Sequence, residues 1–306
     1  MHLQLSLFFV PIFSTAIYSC GQAKFSGDES SSVAKNPPQA CTETKSSVAP
    51  NIAFIIDNSG SNGSRDMSTD CPGIKLNPDG SATCSEPTMR EIAVQKMIRT
   101  LKDFSAKDPA NPLSAANIAV SAYPRTTFTA GHNAWKSVSK YKDDLSDVDQ
   151  LMAFTRSPGG DTPLQVGMSA ANSLLEAADK SNSRRTVIIF VTDGFPNDRN
   201  VSETVSMATS LKEKTEVYVV MNTNGSNYQE RRGSYVESMS KRWHSGTSSY
   251  ATPSMTQEEY FSTMIGNNEN EGVMNVLADK QFFADSAIQV PDLLEQIVSS
   301  TTQQCP

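Results

Sequence analysis

The sequence predicts an α/β fold, a mostly parallel sheet flanked by helices, and three observations predict it. From residue 51 onward, short apolar runs alternate with segments whose apolar residues recur at helical spacing, as strands alternate with the helices that cover them. The runs are too continuously apolar for strands with one wet face, so both faces are buried. Two of them end in an aspartate, Asp57 and Asp193. Right-handed crossovers bring successive parallel strands to a common carboxyl edge, where open sheets of this kind take ligands.

Ile52-Ala53-Phe54-Ile55-Ile56 is the first strand, leading into Asp57. Residues 86 to 104 form a helix, because Val94, Met97, Ile98 and Leu101 fall at i, i+3, i+4 and i+7 on one face. Asn117 to Ala122 is a second strand and Thr126 to Thr129 a less strongly patterned third. A helix from Pro163 to Ala178 turns Leu164, Met168, Ala171, Leu174, Leu175 and Ala178 inward. Thr186 to Thr192 is the clearest strand of the chain and runs into Asp193. A helix over 202–213, strands over 216–221 and Gln281 to Ala284, and a helix from Pro291 to Ser300 complete the alternation. No internal repeat is visible.

Two stretches exceed what the alternation needs and read as insertions, 62–85 and 222–280. The first begins on the ligand edge and reads either as a wall beside it or as a surface loop with no contact role. The second carries Arg231, Arg232, Tyr235, Trp243, His244 and Tyr250 among Ser and Asn. That composition suits recognition loops; the same residues also fit an amphipathic helix from Tyr228 to Trp243 whose aromatics pack on the domain.

With 306 residues, 38% of them hydrophobic, the chain has the material for a substantial core. A net charge of −7 without a basic stripe excludes a nucleic-acid partner, which clustered Lys and Arg would have to hold. Residues 1–19 are apolar and lack charge apart from His2, which marks a signal peptide. Pro11 and Ser14 interrupt the run before it reaches the about 20 residues of a membrane span. Ile17-Tyr18-Ser19-Cys20 resembles the bacterial lipobox, which implies lipidation of Cys20 and a membrane anchor. Residues 20–50, rich in Ser, Lys, Gln and Pro, then form a flexible tether, and 51–306 the folded domain. Removing Cys20 leaves four of the five cysteines to oxidise in pairs. Three pairings exist; the expected one joins Cys71 to Cys84 across a short loop and Cys41 to Cys305 across the ends of the domain.

Three pieces carry the chemistry. Asp57-Asn58-Ser59-Gly60-Ser61 follows a buried strand and spells Asp-x-Ser-x-Ser; Gly159-Gly160-Asp161-Thr162-Pro163-Leu164 precedes a helix; Val191-Thr192-Asp193-Gly194 ends a strand. Over roughly residues 51 to 300 the chain resembles a von Willebrand factor type A (VWA) domain with a complete metal-ion-dependent adhesion site. The resemblance implies a Rossmann-like sheet and a divalent cation held by Asp57, Ser59, Ser61, Thr162 and Asp193. The three hydroxyls would be ligands, and the two aspartates would bind directly or through water. Such an oxygen set suits Mg²⁺ first and Mn²⁺ or Ca²⁺ as well. With only two carboxylates on a dication the site stays electrophilic, so its open position is expected to take an Asp or Glu carboxylate from a partner protein. Asp161 departs from the small residue many relatives carry, adding negative charge beside the metal. Each piece also has a structural reading: Thr162, Pro163 and Gln165 spell a helix capping box, and Asp57-Asn58-Ser59-Gly60 and Asp193-Gly194 spell turns.

No enzyme is expected. The three histidines are His2, His132 and His244, and no nucleophile elbow or zinc-protease motif occurs. The function expected is therefore metal-dependent protein binding, adhesion or recognition, at the cell surface or envelope through the lipid anchor, the alternative location being secreted or periplasmic. The alternative function is an envelope assembly scaffold that uses the same fold with a structural metal.

Overall fold

A computed structural model of the chain describes residues 49–59, 74–76, 82–107, 109, 112–124, 134–157, 159, 161–178, 184–222, 227–244, 255–284, 289, 292–293 and 296–297. The elements run β1 (Asn51–Asp57), β2 (Ile74–Leu76), β3 (Ala82–Cys84), α1 (Met89–Lys107), β4 (Asn117–Tyr123), β5 (Lys136–Ser137), α2 (Ser146–Met152) and α3 (Leu164–Ala177). Then follow β6 (Thr186–Thr192), α4 (Val201–Lys214), β7 (Glu216–Asn222), α5 (Tyr228–His244), α6 (Gln257–Met264), α7 (Val273–Leu277) and β8 (Lys280–Ala284).

Six strands form one sheet in the order β5-β4-β1-β6-β7-β8, with β1, β4, β6, β7 and β8 parallel and β5 antiparallel at the edge. This is the mostly parallel, helix-flanked sheet that the apolar runs predict. β1 explains why its run is continuous: Ala53 and Ile55 face one core with Ile188, Phe190 and the α3 and α4 residues Met168, Leu174 and Leu211. Ile52, Phe54 and Ile56 face the other, against Val94, Met97, Ile98 and Leu101 of α1 and Val148 and Met152 of α2. A strand sandwiched between two cores has no position where a polar residue would be free of cost.

α1 begins three residues later than the hydrophobic spacing predicts, because Thr88 caps it: its hydroxyl accepts the Glu91 N–H at 3.2 Å. The predicted strand at 126–129 lies outside the described residues. Of the predicted final helix, Asp292, Leu293, Gln296 and Ile297 are helical and the remainder lies outside the described residues. Part of the 62–85 insertion is a small antiparallel hairpin, β2 with β3. In the 222–280 insertion the helical reading holds, with α5, α6 and α7 packed on the core. Phe195 stands 5.5 Å from the Tyr228 ring and 5.4 Å from that of Tyr235. No described helix is long and apolar enough to cross a membrane.

α3 lies close against the sheet at Gly167. A methyl group there would stand 2.9 Å from Cδ1 of Tyr123 and 3.1 Å from Cε1 of Phe190, so the absent side chain is what lets the helix seat against β4 and β6.

Candidate metal centre

The register puts Asp57 at the end of β1 beside Tyr123 at the end of β4, while β6 ends in Thr192 on the other side of β1. The three motif segments therefore leave the sheet at one edge, and hydrogen bonds tie them to one another. The Asn58 N–H donates to the Tyr123 carbonyl at 2.6 Å, and the Gly159 N–H donates to the Asn58 carbonyl at 2.9 Å. The Asn197 N–H donates to the Thr162 carbonyl at 3.1 Å, and the Asn197 Oδ1 accepts the Thr162 N–H at 3.0 Å. So the segment after β1 holds the one before α3, which is held in turn by the segment after β6.

Asp57 is completely buried, at 0% exposure. Its Oδ1 accepts the Ser59 N–H at 2.8 Å and its Oδ2 accepts the Thr192 hydroxyl at 2.6 Å. Burial pushes its carboxyl above the ordinary range, against the bonds from Thr192 and Ser59 and the nearby Arg90 charge. The Thr192 Oγ1 also accepts the Gly194 N–H at 3.2 Å, which links the Asp57 carboxylate to the peptide that follows Asp193. Asp193 is 1% exposed. Its carboxylate lies 3.6 Å from Nη2 of Arg231, and the Nε of the same arginine donates to its carbonyl at 3.2 Å.

Thr162 does not cap α3, so the capping-box reading is corrected. The helix starts at Leu164, with no side-chain cap from the residue before it. The capping groups come from the β6 segment: the Asp198 carboxylate accepts Leu164 N–H and Gln165 N–H, both at 2.9 Å. That leaves the Thr162 hydroxyl, on a residue 8% exposed, unused for capping. Asp198 is itself buried, and desolvation pushes its carboxyl up to about 6 against those two amide donors.

Of the five residues in the expected ligand set, the structure places Asp57, Ser59, Thr162 and Asp193 on these three tied segments. Ser61 lies outside the described residues, as do Cys20, Cys41, Cys71 and Cys305. Cys84, at the end of β3, is buried and disulfide-bonded, with its partner outside the described residues. Asp161 is exposed beside the buried Thr162. Among the described residues no group of three or more His, Cys, Asp or Glu could hold a metal ion. The oxygens present are instead two carboxylates and two hydroxyls. They suit a hard cation, and a dication would supply the counter-charge that the buried Asp57 carboxyl calls for. When bound, it would offer a Lewis-acidic position to an anionic group.

Sequence reasoning did not identify Asn197, Asp198, Arg90 and Thr192 as residues that position the site. Arg90 left a signal, since it extends the buried stripe of Val94, Met97 and Leu101 toward the start of α1. Its Nη1 donates to the Asp57 carbonyl, and its Nη2 to the Thr155 carbonyl at 3.3 Å. Arg231, which the sequence places in a segment suited either to recognition loops or to an amphipathic helix, is turned onto Asp193 in the structure.

No protein family model matches the chain, and no curated protein matches it. Among solved structures it is similar to the pilus adhesin SpaC from Lactobacillus rhamnosus GG, at 15% identity and TM-score 0.46, over 84% of this chain and 31% of that one. It is similar to a von Willebrand factor type A protein from Catenulispora acidiphila, at 11% identity and TM-score 0.44, over 83% of this chain and 43% of that one. A manganese-loaded TRAP protein from Plasmodium vivax is similar at 15% identity and TM-score 0.33, over 60% of this chain and 61% of that one. The chain thus spans about a third of the length of the pilus adhesin. Strand order, parallel direction and helices on both faces give the chain a Rossmann-like, mostly parallel α/β fold.

Proposed function

We propose that this chain is a metal-dependent protein-binding module of the cell surface or envelope, in which a divalent cation, Mg²⁺ in the first place and Mn²⁺ or Ca²⁺ as substitutes, takes up an Asp or Glu carboxylate of a partner protein. One observation carries the reading: three segments far apart in sequence are tied to one another at the carboxyl edge, bringing in Asp57, Ser59, Thr162 and Asp193. The cation would be held by these residues and Ser61. Binding, not catalysis, is the role proposed. The signal-like residues 1–19 and Cys20 support an exported, lipid-anchored protein.

Calorimetric titration of the exported, processed protein with Mn²⁺ and with Mg²⁺ tests the metal. Saturable one-site binding is expected in the wild type and at least a hundredfold weaker binding in Asp57→Ala, where both an oxygen ligand and a charge are lost. Absence of binding in a folded wild type sinks the proposal. Capture of partners with Mg²⁺ and again with EDTA separates the adhesion role from a scaffold with a structural metal: partners that survive both EDTA and Asp57→Ala, with the domain folded, favour the scaffold.

A further inference from the structure

The carboxyl edge carries a cation of its own before any metal arrives. Arg231, in the first turn of α5, has a side chain only 14% exposed, and its Nη2 lies 3.6 Å from Oδ2 of the 1% exposed Asp193. Its Nε and Nη2 both donate to the Asp193 carbonyl. The contact is anchored: the Tyr235 hydroxyl, one turn on, donates to the Pro196 carbonyl at 3.3 Å, and Phe195 packs against Tyr228 and Tyr235. The guanidinium is therefore held against one of the two carboxylates expected to serve the metal by the packing of a helix that lies in the inserted segment.

We propose that Arg231 is an internal counter-cation that competes with the divalent metal for the Asp193 carboxylate and so sets the site's cation affinity. This rests on the metal-binding reading above. Two positive groups that share one buried carboxylate repel each other, and low effective dielectric makes that repulsion larger than it would be in water. With part of the Asp193 charge already spent on Arg231, a bound dication is less neutralised by the protein and keeps more of its pull for an incoming carboxylate. The salt bridge also gives metal occupancy a mechanical outlet, because weakening the Arg231 contact loosens the start of α5.

The test is the Mn²⁺ dissociation constant of the wild type, Arg231→Gln and Arg231→Lys by calorimetric titration, with amide hydrogen exchange over residues 228–236 with and without Mn²⁺. Arg231→Gln keeps a donor for the Asp193 carbonyl but loses the charge, and is expected to bind Mn²⁺ on the order of tenfold more tightly. Arg231→Lys keeps the charge and is expected to stay within about threefold of the wild type. In the wild type, Mn²⁺ should speed exchange in the first turns of α5, and in Arg231→Gln it should not. Equal or weaker Mn²⁺ binding by a folded Arg231→Gln overturns the counter-cation role, and so does tighter binding by Arg231→Lys of the same size as by Arg231→Gln. If the wild type binds no Mn²⁺, both readings fall; if it binds while Asp57→Ala does not, and Arg231→Gln matches the wild type, only this one does.

Discussion

At the end of β1, the peptide carbonyl of Asp57 receives Arg90, a residue 4% exposed that reaches it from α1 through the core. At the end of β6, the peptide carbonyl of Asp193 receives Arg231, which reaches it from the rim on α5. The two strand ends are alike in having an aspartate with an arginine on its carbonyl, and unlike in what holds the carboxylate. Asp57 is bonded by neutral donors, the Ser59 N–H and the Thr192 hydroxyl, whereas Asp193 faces a guanidinium. The first end is a fixed part of the core. The second is an electrostatic balance that a new cation can shift.

Removing each arginine in turn tests that difference in stability. Arg90→Met fills similar space but leaves the Asp57 and Thr155 carbonyls buried without their guanidinium donor, and should cost about 2–4 kcal/mol. Arg231→Gln keeps an amide donor for the Asp193 carbonyl and removes only the guanidinium charge that faces the buried carboxylate, and should cost less, about 1–2 kcal/mol. Urea unfolding with a common slope measures both. Equal losses would mean that the two strand ends are equally built into the core, and the comparison would fail.

Asp198 adds a pH dependence of its own on the β6 side. Its carboxyl is pushed up to about 6 by burial, above the value it has in an unfolded chain. Between about pH 4 and 6 the folded state therefore keeps a proton that the unfolded state has lost, and the stability contributed by Asp198 falls as pH rises through that window. The loss amounts to about 3 kcal/mol over the window and levels off above it. Asp198→Asn, which cannot ionise, should remove this part of the slope while retaining an acceptor for one of the two α3 amides. If wild type and Asp198→Asn have parallel stability profiles from pH 4 to 7, the carboxylate is not held up by burial.

Why Asp198 and Arg231 were harder to read than Asp57 follows from how each makes its contacts. Asp57 stands at the end of an apolar run with Ser59 two residues on, a local pattern that a sequence displays directly. The helix start at Leu164 displayed one too, and it misled: Thr162, Pro163 and Gln165 spell a capping box, but the capping carboxylate arrives from 34 residues away. Nothing local to either segment announces that pairing. Helix α5 lay between two readings because its charged and polar residues dilute the apolar stripe. The packing of Tyr228 and Tyr235 on Phe195 decided it, a contact across more than thirty residues. The sheet was the most legible part, since strands buried on both faces permit hardly any polar residue.

Thr192 joins the two strand ends, and its removal gives the smallest effect of the series on stability with the sharpest consequence for the comparison. Its hydroxyl donates to Asp57 Oδ2 at 2.6 Å and accepts the Gly194 N–H at 3.2 Å, so one group spans the fixed aspartate and the peptide after the adjustable one. Thr192→Val keeps the β-branched shape that a buried strand favours and removes only the hydroxyl. Its expected cost is about 1 kcal/mol, the net value of an ordinary internal hydrogen bond, with Thr192→Ser recovering most of it. Losing this donor also removes one of the bonds that opposes burial at Asp57, so the Asp57 carboxyl should rise further in Thr192→Val, as infrared titration of the carboxyl band would show. A Thr192→Val protein whose Asp57 titrates as before would mean that the Ser59 N–H and the Arg90 charge suffice, and that the two strand ends are set independently.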